Sequence, residues 1–265
     1  MSDSTSAVRV VEAAIPTPAR YPRSSTRAPF ASGLAAEPEE QNTAVETDHV
    51  AVERRLLDDA LRPGAVALDA GCGRTTRLRF FRDRIVRLVG VDADAAAASE
   101  NPSVDEYVHA DLDVGLPFED GTFDLVYANF VVEHLSRPEH AIAEWRRVLR
   151  PGGRVVLLTS NRANPAMAVG GRIPSRARLV IKRRGAGAAD RDVYPTHYRA
   201  NTPSSLAEAT AAGGLEPVVV EYVATLHRYG ARVPLAATGL RWFELGLPAR
   251  RRSTIVASYR AVGGV

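Results

Sequence analysis

The stretch Val66-Ala67-Leu68-Asp69-Ala70-Gly71-Cys72-Gly73-Arg74 decides the fold. Its first half, with Ala65, is a short apolar run suited to a buried strand. It ends in an acid and two glycines, where a backbone must turn tightly and lie against a ligand. Twenty-three residues after Asp69, a second apolar run, Leu88-Val89-Gly90-Val91, ends in Asp92, the spacing at which a carboxylate can accept both hydroxyls of a ribose. Together they mark a site for a nucleoside-type cofactor. A nicotinamide dinucleotide and S-adenosylmethionine both use a glycine turn and a distant acid, so these features alone leave both open. In the dinucleotide fingerprint the third glycine would fall at Thr76, and Asp69 would repel a pyrophosphate on the helix N-terminus. A cationic sulfonium carrying an amino group would instead suit that acid.

Outward from this stretch the pattern alternates. Val45, Val52, Leu56 and Ala60, with Leu57 and Leu61 beside them, predict a helix beginning near Thr43 and ending at Pro63-Gly64. Apolar runs over residues 87–91, 106–110, 123–128, 154–159, 217–223 and 254–259 predict further strands. Between them, the stripe Ala141, Ile142, Trp145, Val148 and Leu149 predicts a helix from Pro138 that Pro151-Gly152-Gly153 terminates. Thr202 and Pro203 open another, which Gly213-Gly214 closes at Ala212. Such alternation implies an α/β fold whose parallel sheet is covered on both faces. Residues 1–42, rich in Ser, Thr, Ala and Pro, are expected to form a disordered tail. The domain is expected to occupy residues 43–265, with insertions at about 161–200 and 225–252.

The composition excludes several classes. With 265 residues, 45% hydrophobic and 25% charged, the chain is neither collagen-like, nor a disulfide scaffold, nor disordered throughout. No stretch free of charged residues exceeds nine, about half of what a membrane-spanning helix requires. A single cysteine, Cys72, and a leading segment without a secretory pattern lead to the expectation of a cytoplasmic protein. The basic residues are 33 Arg and Lys182, yet the net charge is only +3, which makes a nucleic-acid partner unlikely on composition.

Four motifs in order resemble the class I S-adenosylmethionine-dependent methyltransferases, of the small-molecule kind that includes the menaquinone and ubiquinone methyltransferases. They are Leu68-Asp69-Ala70-Gly71-Cys72-Gly73; Val89-Gly90-Val91-Asp92; His109-Ala110-Asp111-Leu112 followed by the run from Leu116 to Tyr127; and the run from Arg147 through Pro151-Gly152-Gly153 to Leu157. The resemblance covers about residues 45–160. It implies a Rossmann-like, doubly wound, seven-stranded sheet whose last strand is antiparallel, and S-adenosylmethionine as cofactor. By the same resemblance Asp69 and the backbone of Gly71 and Gly73 hold the methionine end, with Cys72 packed in that turn. Asp92 takes the ribose, Asp111 the adenine amino group, Leu112 lies beside the base, and Asn129 faces the transferred methyl. The family's frequent third glycine is replaced by Thr75. No metal site is expected.

The acceptor side is less explicit. The resemblance implies a transferase with a small-molecule acceptor; the expected target atom is oxygen, and the apolar and basic insertions put a hydrophobic, lipid-linked or glycan-type substrate in view. His197, His134 and the Tyr198 hydroxyl are the candidates for a base, should the acceptor need to lose a proton. Residues 161–184 carry seven basic side chains and no acid, which suggests peripheral contact with an anionic membrane surface or an anionic substrate. Two alternative functions stand beside this one: a cofactor-binding partner subunit without transfer activity, and an RNA methyltransferase.

Overall fold

The structure, a computed structural model, describes residues 10–12, 48–96, 101–170, 194–230 and 234–262. Its centre is strand β2 (Ala65–Ala70), whose alternate side chains feed two separate cores. Leu68 and Ala70 join Val126, Ile142, Trp145, Leu206 and Tyr259 on one face, while Ala67 joins Leu56, Leu57, Tyr107, Leu125 and Val256 on the other. The helices supply the matching stripes. Helix α1 (Asp48–Ala60) lays Leu56 and Leu57 on the second core; Val45, expected at its start, lies outside the described residues. Helix α2 (Pro138–Val148) buries Ala141, Ile142, Trp145 and Val148 in the first.

Around β2 run β1 (Val10–Glu12), β3 (Ile85–Asp92), β4 (Glu106–His109), β5 (Phe123–Asn129), β6 (Leu149–Ser160), β7 (Leu215–Val223) and β8 (Thr254–Ala261). The sheet order is β1-β4-β3-β2-β5-β6-β8-β7. β8 alone runs against its neighbours, pairing antiparallel with both β6 and β7, as expected for the last strand. Two short α-helices precede the last hairpin, α3 (Pro165–Gly170) and α4 (Pro203–Ala212). α4 begins as expected, with the Thr202 hydroxyl accepting from the Ser205 backbone N–H at 3.1 Å and the Ser205 hydroxyl accepting from the Thr202 N–H at 3.0 Å. In the final insertion, helix α5 (Pro234–Leu245) lies between β7 and β8. Asp124, at the start of β5, is structural: it accepts the Val66 N–H at 2.8 Å and the Arg150 guanidinium at 2.5 Å.

One expectation needs correction. Within the segment read as a tail, Val10–Glu12 adds an eighth strand to the family's seven, parallel to β4, with Val10 opposite Tyr107. β-branched residues favour that conformation, and the bare edge of β4 offers it a partner. The rest of residues 1–42 lies outside the described residues, as does the basic stretch from Arg172 to Arg184. Three paired residues contribute little. Deleting residues 1–40 is expected to cost about 1 kcal/mol, a fall of about 2–4 °C in melting temperature, without altering ligand affinity. Scanning calorimetry of the truncated protein checks this, and a fall beyond 10 °C would show a larger packed contribution.

Candidate active site

The parallel strands all end on one rim, and the glycine turn sits at its middle. Gly71 has φ +78°, and a Cβ there would stand 2.4 Å from Val131 Cγ2, so only glycine fits. Gly73, at φ +49°, donates its N–H to Asp92 Oδ2 at 2.9 Å, while Asp92 Oδ1 accepts the Asp94 N–H at 2.9 Å. The other side of the turn is held by Asn101, fully buried, whose amide donates to the carbonyls of Cys72 at 3.2 Å and Gly73 at 3.1 Å. Cys72 is buried, and burial together with the charges of Asp69 and Asp92 pushes its thiol well above the usual range. A Cβ at Gly90 would meet its sulfur at 2.7 Å. Cys72 is therefore a packing residue that requires a glycine on the neighbouring strand.

Beside the turn lies a cavity of about 300 Å3 lined by Asp69, Gly71, Gly73, Arg77, Asn129 and Tyr194, among others. Asp69 is buried in its wall. Burial pushes its carboxyl up to about 7, the nearby Asp92 and Glu53 charges add to this, and the Thr76 hydroxyl, donating to it, opposes it. Such a group is well suited to a bound cation. Arg74 and Arg77 face the same space; Arg74 lies 3.7 Å from Asp94 and Arg77 3.5 Å from the buried Glu53, which also accepts the Tyr127 hydroxyl. Register places Asp69 level with Gly90 and Tyr127, and Asp92 level with His109. Along the rim the order is thus Asp111, Asp92, Asp69 with the glycine turn, then Asn129. Three strand spacings span about 14 Å, room for an extended ligand with a nucleoside at one end and an amino acid at the other. Asp111 is exposed, with Oδ1 accepting the Asp113 N–H at 2.9 Å, and Leu112 beside it is buried. Neither Asp92 nor Asp111 lines the cavity itself.

A strap over residues 194–198 crosses this rim. The Tyr194 hydroxyl donates to Asp94 Oδ2 at 3.0 Å, and its ring meets the His134 ring edge-on, with centroids 6.0 Å apart. Burial and that acceptor carboxylate push the Tyr194 phenol up to about 12, so it stays a donor at neutral pH. His134 Nδ1 donates to the Pro195 carbonyl at 2.6 Å, which leaves Nε2 free to carry a lone pair. His197 is exposed; its backbone N–H, with that of Tyr198, donates to the Glu133 carbonyl at 2.8 and 3.1 Å. The Arg162 guanidinium lies over the Tyr198 ring, 4.5 Å from its centroid. The structure thus brings Tyr194 to the cavity wall and sets His134 behind its ring, while neither His134 nor His197 lines the cavity itself.

Two residues that sequence patterns did not single out organise this region. Glu133 is buried, and its carboxyl accepts the hydroxyls of Thr159 at 2.8 Å and Ser160 at 2.9 Å, while Asn201 donates to Thr159 Oγ1 at 2.6 Å. Asn101 does the corresponding work under the glycine turn. An acid or amide at a loop start is a weak local signal, and the partners lie 26–42 residues apart in the chain.

Comparison with known proteins agrees with this geometry. The family model for a methyltransferase domain matches residues 68–157. The chain is similar to the malonyl-[acyl-carrier protein] O-methyltransferase of Enterobacter lignolyticus, 34% identical over 42% of this chain and 47% of that protein. It is also similar to the ubiquinone/menaquinone biosynthesis C-methyltransferase of Roseobacter denitrificans, 37% identical over 53% of this chain and 56% of the relative. The chain thus spans about half the length of these curated relatives. An S-adenosylmethionine-dependent methyltransferase structure from Mesorhizobium loti superposes with a TM-score of 0.54 at 19% identity, over 79% of this chain and 96% of the other. Residues 68–157 thus match a methyltransferase domain, and the fold built around them is similar to that of an S-adenosylmethionine-dependent methyltransferase structure.

Proposed function

We propose that the protein transfers a methyl group from S-adenosylmethionine to an oxygen of a small molecule, of hydrophobic, lipid-linked or glycan type. The observation that carries this reading is the cavity itself, with buried Asp69 on its wall and Tyr194 at its mouth. The donor set fits the cofactor: an acid for its ammonium, arginines for its carboxylate, and glycines that let a ligand approach the backbone. In this reading Asp69, Gly71 and Gly73 hold the methionine end and Asp92 the ribose; Asp111 takes the adenine amino group, Leu112 flanks the base and Asn129 faces the methyl. When bound, this cofactor supplies an electrophilic methyl on a sulfonium.

Displacement at such a methyl is in-line, so positioning does most of the work, and a base serves only where the acceptor must lose a proton. His134 suits that task better than His197. Its Nδ1–H is pinned by Pro195, so a neutral ring presents Nε2 to take the proton of an acceptor hydroxyl. The similar proteins include both an O-methyltransferase and a C-methyltransferase, so the choice of oxygen rests on the placement of His134. The test is incubation with methyl-labelled cofactor and candidate metabolites, followed by mass spectrometry that locates the label. Label on oxygen supports the proposal, and label on carbon overturns its atom assignment. Intact cofactor binding with no acceptor across metabolites and RNA would favour the non-catalytic partner.

Asp69 makes cofactor affinity depend on pH. Its folded-state carboxyl is raised above the unfolded value, so between pH 4 and 7 the native protein holds a proton that the unfolded chain has lost. Its contribution to the stability of the free protein therefore falls as pH rises through that window. A cationic ligand requires the ionised form. Affinity for S-adenosylhomocysteine is expected to rise by up to about tenfold per pH unit below 7 and to level off above it. Calorimetry from pH 5.5 to 8 checks this, and Asp69→Asn should flatten the profile.

A further inference from the structure

We infer that helix α5 and the arginines beside it dock the protein on an anionic lipid surface. The inference does not rest on methyl transfer, since it concerns the insertion between β7 and β8 and not the cavity.

This insertion leaves and rejoins the sheet on the rim that carries the cavity: Val223 and Ser160 both pair with Thr254. It is firmly attached there. Glu244, the only buried side chain of α5, accepts the backbone N–H of Leu226 at 2.8 Å and that of Ser253. The amides of Asn161 and Asn164 donate to the carbonyls of Arg250, Arg252 and Arg251 at 2.7–2.9 Å. A fixed helix therefore presents its outer side chains in a fixed place.

Those side chains are apolar and uncovered. Leu235 is 87% exposed and Trp242, two turns on, 71%; Phe243 and Leu245 are exposed beside them. The charge around them has one sign. From Leu226 to Arg252 the sole acid is Glu244, which is buried, while Arg228, Arg241, Arg250 and Arg251 are exposed. Guanidinium groups stay charged at any physiological pH. An apolar stripe carrying tryptophan, flanked within the insertion by exposed arginines and by no exposed acid among its described residues, complements the acyl boundary and anionic headgroups of a bilayer. A second copy fits poorly, because a two-fold contact across this face would set Arg241, Arg250 and Arg251 against themselves.

Tryptophan fluorescence reads this site directly, since of the two tryptophans Trp145 is fully buried and Trp242 is exposed. Adding vesicles of phosphatidylglycerol and phosphatidylcholine to the full chain is expected to shift the emission to the blue and to carry the protein up in flotation. Phosphatidylcholine alone should do neither. Raising salt to about 0.5 M should release the protein by shortening the reach of the arginine charges. Replacing Arg241, Arg250 and Arg251 by glutamine should weaken partitioning about a hundredfold, and Trp242→Ala with Leu235→Ala should abolish it, with melting temperatures unchanged because all five side chains are exposed. Absence of a shift with anionic vesicles overturns the inference, as does equal binding to neutral ones. A concentration-dependent dimer that shifts Trp242 emission without lipid also overturns it, and assigns the face to a second copy.

Discussion

Replacing Asp92 by alanine is expected to weaken binding of S-adenosylhomocysteine by a hundredfold or more. Two charge-assisted hydrogen bonds to a ribose at about 1.5 kcal/mol each amount to about 3 kcal/mol, which is already about a hundredfold. The structure adds a second loss. The same carboxyl accepts the N–H groups of Gly73 and Asp94, so its removal frees the glycine turn on one side and the Asp94 loop on the other. Asp94 in turn anchors Tyr194 over the cavity. Asparagine keeps one acceptor oxygen and should fall between wild type and alanine, at about a tenfold loss. The partly exposed N–H groups can turn to water, so the fold should survive, with a melting temperature within a few degrees of wild type. Calorimetric titration separates the outcomes: alanine binding within twofold of wild type would remove Asp92 from the ribose.

What the sequence made legible was whatever its local period encodes. α4 spans Pro203 to Ala212 as its cap and glycine stop predict, and six of the seven expected strands of the sheet begin and end within two residues of the expected places. β6 differs most, starting at Leu149 in place of Arg154. The acid at the end of β2 and that at the end of β3 were readable from spacing alone, because strands of a parallel sheet deliver their last residues to a common rim. What stayed hidden depends on partners distant in the chain. Asn101 sits under a turn 28 residues earlier, and Glu244 is buried only because backbone N–H groups 9 and 18 residues away need an acceptor. A short valine-rich segment in a polar stretch gave no periodicity by which β1 could be read.

The acceptor side illustrates how strain and anchoring go together. Phe130 and Tyr198, neither of them glycine, hold φ at +55° and +53°. Such conformations cost of order 1 kcal/mol or more each and persist only where surroundings over-determine them. Glu133 supplies much of that determination for Tyr198, whose N–H donates to its carbonyl, and it lies three residues after Phe130 on the same loop. The strain sits where an acceptor would have to be presented to Asn129 and His134.

Glu133→Ala is therefore expected to reduce stability by about 3 kcal/mol, since it strands two buried hydroxyl donors, and with them the Asn201 amide that leans on Thr159. In a domain of this size that corresponds to a fall of about 6–12 °C in melting temperature. Glu133→Gln should cost less, because its amide oxygen still accepts one hydroxyl and only the other must reorient. Function should separate in the same way. The glycine turn and Asp92 do not depend on Glu133, so cofactor affinity of the glutamine variant should stay within about threefold of wild type, well under 1 kcal/mol. The strap hangs from the Glu133 backbone carbonyl, which the substitution keeps; the side chain bears on it only by pinning that loop to Thr159 and Ser160. Loosening the loop, and with it the Pro195 carbonyl that orients His134, should lower turnover of the acceptor by up to about tenfold, at most about 1.4 kcal/mol of barrier. If cofactor binding and turnover fell together, the strap would be part of the cofactor site; if neither changed, Glu133 would hold the fold alone and the positioning of His134 would have to come from elsewhere.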